Sequence, residues 1–220
     1  MLEVVAGGQP LVLLADKAVW WPARRTLLVA DLHVGKAASF RALGVPVPRG
    51  TTSTTLAALD ALIEGWPARR IVFLGDFLHA PEAHVPATLG ALARWRARQA
   101  RLELTLVRGN HDERAGDPPP GLAIEVVDEP LRLDGLALCH HPRPQPGAYA
   151  LAGHLHPCTS LGGPARDRLR LACFHLGPAV GVLPAFGSFT GMHPIRRLAG
   201  DRVYVVADGR VAELPEAPGP

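Results

Sequence analysis

No apolar run in this chain of 220 residues reaches the ~18 residues that a bilayer-spanning helix needs. Met1-Leu2-Glu3-Val4-Val5 also lacks the basic region followed by an apolar one that opens a secretory signal. Both absences lead to the expectation of a cytoplasmic protein. Cysteine is scarce: Cys139, Cys158 and Cys173 are odd in number, widely spaced and form no C-x-x-C pair, which fits reduced thiols better than a disulfide framework. Lysine is scarcer still, since of 23 basic residues only Lys17 and Lys36 are lysine and the rest are arginine. With abundant alanine, glycine and proline alongside, that bias reads first as coding composition and only second as a nucleic-acid surface. The net charge of +3 would tolerate a phosphate-bearing partner without requiring one. No repeat and no linker divides the chain, and 48% hydrophobic content over this length suffices for one full core. One domain is therefore expected over residues 1–214, with the proline-rich residues 215–220 as a disordered tail.

What is present is a regular punctuation. Short apolar runs at 11–14, 19–21, 27–30, 71–74 and 102–107 read as strands. Between the later ones lie helical stretches. One is short and follows Gly35-Lys36; one runs from a Gly50-Thr51-Thr52-Ser53 start to Trp66-Pro67 with Leu56, Leu59, Leu62 and Ile63 as its stripe; one opens at Pro86 and carries Leu89, Leu92 and Trp95. Beyond Pro118-Pro119-Pro120-Gly121 the alternation gives way to short strands at 124–127, 131–133, 136–139, 149–152, 169–174, 180–183, 203–206 and 210–214. The expected class is an α/β sandwich of two mixed sheets flanked by helices.

The chemistry sits at the strand ends. Arg108-Gly109-Asn110-His111-Asp112 follows the 102–107 run, which places an amide oxygen and an imidazole at the carboxyl edge of a sheet, where open α/β sheets hold their sites. Other runs end alike: in Asp31-Leu32-His33, in Gly75-Asp76, in His140-His141, and in Gly153-His154-Leu155-His156. Buried carboxylates and imidazoles would each cost several kcal/mol of desolvation unless compensated, and divalent cations would compensate them. Asp31, His33, Asp76, Asn110, His140, His154 and His156 would make two sites of four ligands if one carboxylate bridges. Mixed nitrogen and oxygen donors suit Mn²⁺, Fe²⁺ or Zn²⁺. Two such ions ~3.5–4 Å apart would acidify a water between them and hold both oxygens of an in-line displacement, which is phosphoester hydrolysis. Lys36, near a helix start, and Arg108 are candidates for a phosphate, and Phe40-Arg41 for a base.

Taken in order, Asp31-x-His33, Gly75-Asp76, Gly109-Asn110-His111-Asp112, His140 and Gly153-His154-x-His156 resemble the five motifs of the calcineurin-like metallophosphoesterases. The resemblance implies that Asp31, His33, Asp76 and His156 hold one metal and that Asp76, Asn110, His140 and His154 hold the other, with Asp76 bridging. It also implies that His111 meets the scissile phosphate, as proton donor to the leaving group or as a stabiliser of its charge. One departure is His140-His141-Pro142, where that family shows a single His followed by Gly; His140 is the choice because it directly follows its strand.

Trp21-Pro22, the stretch Asp31 to Arg41, Gly44-Val45-Pro46-Val47-Pro48, Leu138-Cys139-His140-His141-Pro142 and Pro184-Ala185-Phe186-Gly187-Ser188-Phe189-Thr190-Gly191 are similar to the DNA-ligase-associated metallophosphoesterases, the PdeM group. That implies a metal-dependent phosphodiesterase or endonuclease, manganese foremost, acting on DNA in bacterial repair beside a ligase, a helicase and an exonuclease. The rival readings are a phosphomonoesterase, a cyclic-nucleotide or nucleotide-pyrophosphate hydrolase with the same site, and a non-catalytic repair scaffold.

Overall fold

The structure is a computed structural model that describes residues 1–47, 50–162 and 168–215. Apart from Pro215, the expected tail lies outside the described residues. The chain opens with an antiparallel meander: β1 (Leu2–Ala6), β2 (Gln9–Leu13), β3 (Val19–Trp21) and β4 (Thr26–Val29). Helices and strands then alternate through α1 (Lys36–Ala42), α2 (Thr51–Gly65), β5 (Arg70–Leu74), α3 (Pro86–Arg98), β6 (Glu103–Val107), α4 (Asn110–Ala115) and β7 (Ile124–Val127). The rest is strand: β8 (Leu131–Leu133), β9 (Leu136–Leu138), β10 (Tyr149–Ala152), β11 (Pro157–Gly162), β12 (Arg168–Leu176), β13 (Val180–Val182), β14 (His193–Pro194), β15 (Arg202–Ala207) and β16 (Arg210–Glu213).

Two mixed sheets result. The first runs β1 to β7 in chain order, antiparallel as far as β4 and parallel from β4 to β7. The second has the order β14-β11-β12-β13-β10-β9-β8, with β15 and β16 beyond β12, and its β10 lies parallel to both β9 and β13. Strand alternation decides which layer each side chain joins. From β4 and β5, Leu27, Val29, Ile71 and Phe73 face the helices, meeting Leu56, Leu59 and Leu62 of α2 and Leu92 and Trp95 of α3. The intervening Leu28, Val72 and Leu74 face the second sheet and meet Leu136, Leu138, Leu151, Phe174 and Tyr204.

Three strands escape the sequence pattern. In β1 only Val4 and Ala6 are buried, so its apolar alternation is short; β11 turns exposed after Cys158, and β14 is two residues long. Asn110, just past the end of β6, is the first residue of a short helix, α4. Among the described residues no helix is long and apolar enough to cross a membrane.

The layer between the sheets makes a direct prediction. Leu28, fully buried there, should cost about 2–5 kcal/mol when cut to Ala. Leu169→Ala, at a position 60% exposed, should stay within about 0.5 kcal/mol. Urea midpoints of the two variants measure both.

Candidate metal centre

Register sets the site. Val29 pairs with Phe73 and Leu74 with Val107, so the parallel strands β4, β5 and β6 end level and release Asp31, Asp76 and Asn110 side by side. From the facing sheet, β9 and β10, paired at Leu138 and Leu151, release His140 and then His154 and His156. Each sheet thus supplies part of one cluster.

The glycines before these residues make room for them. A Cβ at Gly75 would lie 2.1 Å from the His140 ring, one at Gly109 would lie 2.4 Å from Asp76 Oδ1, and one at Gly153 would lie 2.7 Å from Asp31 Oδ2. The motif glycines are therefore required by contact as much as by turn geometry. The backbone of the acceptor residues is itself unusual: Asp31, His33, Asp76, His154 and His156 all have positive φ, between 47° and 70°. A residue with a Cβ held there costs about 1–3 kcal/mol, and five together need surroundings that hold them in place.

The side chains form two adjoining groups. His33 Nε2 lies 3.1 Å from His156 Nε2, and His156 Nε2 lies 3.8 Å from Asp31 Oδ1. On the other side, His140 Nε2 lies 3.0 Å from both Asn110 Oδ1 and His154 Nδ1. Asp76 stands between them, with Oδ2 3.6 Å from His33 Nε2 and Oδ1 3.4 Å from His140 Nε2. Two ligands on one ion at ~2.0–2.1 Å in tetrahedral array sit ~3.3 Å apart, so these spacings suit donors converging on cations. All seven expected ligands come together. Asp31 is fully buried and Asp76 is 2% exposed, yet among the described residues neither carboxylate pairs with a lysine or arginine. Burial pushes the Asp76 carboxyl up, and it pushes the His33 ring down with help from the nearby charges of His156 and His111. A cation would reverse the balance for the carboxylates and favour neutral imidazole ligands.

Hydrogen bonds around this cluster orient its rings. His140 Nδ1 donates to the Leu74 carbonyl at 3.0 Å, which turns Nε2 inward. His33 Nδ1 meets His79 Nδ1 at 3.2 Å, and the His79 ring, pushed down to about 4 by burial and by the charge of His111, stacks on His111 at 4.7 Å. His111 in turn donates its amide to Asp76 Oδ1 at 3.0 Å and hydrogen-bonds the His79 carbonyl through Nδ1 at 2.6 Å, so Nε2 is the free end. His141 turns aside to Glu129, whose carboxylate also accepts the amides of His140 and His141.

Lys36 and the two expected arginines fare differently. Lys36 Nζ is half-buried 6.0 Å from the Phe40 and Phe189 ring centres, and it senses the charge of Asp76. Arg108 is a correction: both edges of its guanidinium are occupied, by Asp117 at 3.0 Å and by Asp128, rather than open toward a phosphate. Arg41 is exposed in the last turn of α1.

Sequence reasoning passed over two organising residues. One is Glu129, whose carboxylate holds the backbone where His140 and His141 leave their strand. Asp112, fully buried, accepts the Gly109 amide at 3.0 Å and the Leu78 amide at 2.9 Å, tying the Asn110 loop to the Asp76 loop. Burial pushes it up to about 6 against those bonds. An acid three residues past Gly109 at a helix start was the available signal.

The crystal structure of Pseudomonas putida nuclease MPE matches this fold with a TM-score of 0.85, at 48% sequence identity, over 97% of this chain and 99% of that one. The chain belongs to the family of that nuclease. A protein of unknown function from Aquifex aeolicus aligns at 17% identity with a TM-score of 0.41, over 60% of this chain and 78% of that one. No family model and no curated protein matches the chain.

In this member of the MPE family, Gly109 tests the contact between the two loops: its φ of −102° suits any residue, but an added Cβ would lie 2.5 Å from the Asp76 backbone nitrogen. Gly109→Ala should lower the melting temperature, because the backbone at Asp76 cannot yield to the new Cβ as a flexible side chain would. It should also weaken any divalent-cation binding at the cluster about 10–100-fold by pushing Asp76 aside, the order seen when ligand-positioning groups are lost. Calorimetric titration with Mn²⁺ reads the change.

Proposed function

We propose that the chain is a metal-dependent phosphodiesterase that cuts DNA. Asp31, His33, Asp76 and His156 would hold one divalent cation; Asp76, Asn110, His140 and His154 would hold the other. Manganese is the first choice, with iron or zinc compatible with the same donors. The observation that carries this reading is the pair of buried carboxylates, Asp31 and Asp76, set among four converging imidazoles with no lysine or arginine paired to either in the described residues. Two carboxylates buried without a cation would be strongly disfavoured, and the donor set fits cations of this kind.

The similarity to a nuclease over nearly the whole chain supports a phosphodiester substrate. Motif resemblance supports the finer reading: a calcineurin-like enzyme of the DNA-ligase-associated PdeM group, working in bacterial DNA repair beside a ligase, a helicase and an exonuclease.

Bound cations would supply Lewis-acid charge to an attacking water and to the phosphoryl oxygens. The remaining chemistry belongs to side chains. Asp76, held at Oδ1 by the His111 amide, keeps the two groups of donors at a fixed separation. Lys36 brings a half-buried ammonium toward a phosphate oxygen. His111, anchored at Nδ1 by the His79 carbonyl, presents Nε2, and in its protonated form would give a proton to the departing oxygen.

The test begins with protein stripped by chelator, returned to Mn²⁺ and incubated with closed circular single-stranded DNA. Wild type should linearise the circle. Asp76→Ala should lose about a thousandfold in rate, the several kcal/mol that paired metals contribute. An intact circle with hydrolysis of a small model diester would indicate small substrates or strand ends instead. Failure on both would sink the phosphodiesterase reading.

A further inference from the structure

A nucleic-acid strand brings more than one phosphate to such a centre, and a second cavity adjoins it. The His156 ring separates the two: its Nε2 faces His33 at 3.1 Å, while its Nδ1 hydrogen-bonds the Gly191 carbonyl at 3.1 Å on the far side. Beyond that ring lies a recess of about 210 Å³ bordered by Lys17, Ala172, Ser188, Thr190 and Gly191, with no carboxylate among its lining residues. That volume is below the ~300–1,000 Å³ of sites that enclose whole small molecules, so it suits a phosphate group rather than an entire nucleotide.

Lys17 is turned into this recess by the strand connection that carries it. It has positive φ (62°) in the turn between β2 and β3, closed by its amide on the Leu14 carbonyl at 3.0 Å. Its ammonium is largely buried, lies 5.9 Å from the centre of the Phe186 ring and donates to the Phe186 carbonyl at 2.8 Å. Among the described residues that is its one hydrogen bond, and an ammonium has three donors. The carbonyl belongs to the segment that walls the recess, itself fixed along the first motif by Phe186 N to the Ala30 carbonyl at 2.8 Å and Gly187 N to the Asp31 carbonyl at 3.2 Å. So the only two lysines of the chain flank the cluster, Lys36 beside His33 and Lys17 beyond His156.

We propose that Lys17 and the recess it lines form a subsite for the backbone phosphate next to the scissile one. The inference rests on the nuclease reading and adds a position to it. A lysine that merely tethered the Phe186 carbonyl would have no interest in substrate charge, and that difference is measurable.

The experiment is a scan of oligonucleotides in which one backbone phosphate at a time is a neutral methylphosphonate, cleaved by wild type and by Lys17→Met. Lys17→Met should lower kcat/KM on the all-phosphate strand roughly tenfold, the order of one charge-assisted hydrogen bond. It should also flatten the salt dependence of KM by about 0.7 log units per decade, one phosphate contact on a single strand. At one position flanking the cut, the methylphosphonate should penalise wild type and add no further loss in the variant. Additive losses at every position would overturn the subsite while leaving the nuclease reading intact. A wild type that cuts no strand would remove both. If Lys17→Met melts far below wild type, Ala172→Glu serves instead: it places a carboxylate on the same wall, so the neutral linkage at that position should be cut better than the phosphate. Preference for the phosphate there would equally overturn the subsite.

Discussion

Everything in this fold answers to one electrostatic constraint: two carboxylates, Asp31 and Asp76, are removed from water at the junction of two sheets with no lysine or arginine paired to either among the described residues. Burying an ionised carboxylate is among the costliest steps a fold can take. Backbone amides soften it, with His154 N on Asp31 at 2.9 Å and His111 N on Asp76 at 3.0 Å. Those bonds do not cancel the charge. Proposed cations would.

The same constraint explains the irregular backbone around the cluster. Side chains leaving level strand ends diverge unless the chain turns sharply, and the left-handed φ of Asp31, His33, Asp76, His154 and His156 supplies that turn without surrendering the side chain to glycine. Where no side chain is needed, glycine takes over: Gly75, Gly109 and Gly153 lie where the next ligand passes. Strain at five residues is held by packing on both sides, by the helices against one face of the first sheet and by the second sheet against the other.

Much of this was legible in the sequence. Strands β2 to β6 and the helices between them declare themselves because their apolar runs are mostly buried and bounded by turn residues, and the runs of β4, β5, β6, β9 and β10 lead straight into the residues that reach the centre. The seven converging side chains were legible for that reason. Orienting contacts were not. An acid three residues past Gly109 signals the local bond of Asp112, but nothing in the pattern of side-chain types points to the Leu78 amide that Asp112 also meets or to the His140 amide that Glu129 meets. Arg108 misled for a related reason. A guanidinium beside a catalytic-looking turn suggests a phosphate, but Asp117 and Asp128, on loops that only the tertiary structure brings near, already satisfy it.

The division of the ligands between two sheets has a thermodynamic consequence. Asp31, His33, Asp76 and Asn110 come from the first sheet, His140, His154 and His156 from the second, and only the docked sheets bring them together. A cation bound at the junction therefore binds the docked state and not the separated one. At a free concentration of 100 times its dissociation constant, such a ligand adds about 2.7 kcal/mol to the stability of the state it binds. That is comparable to the cost of two or three left-handed residues. Strain and metal thus stand in one balance: the sheet interface holds the ligands in their unfavourable backbone, and an ion that needs that backbone would reinforce the interface.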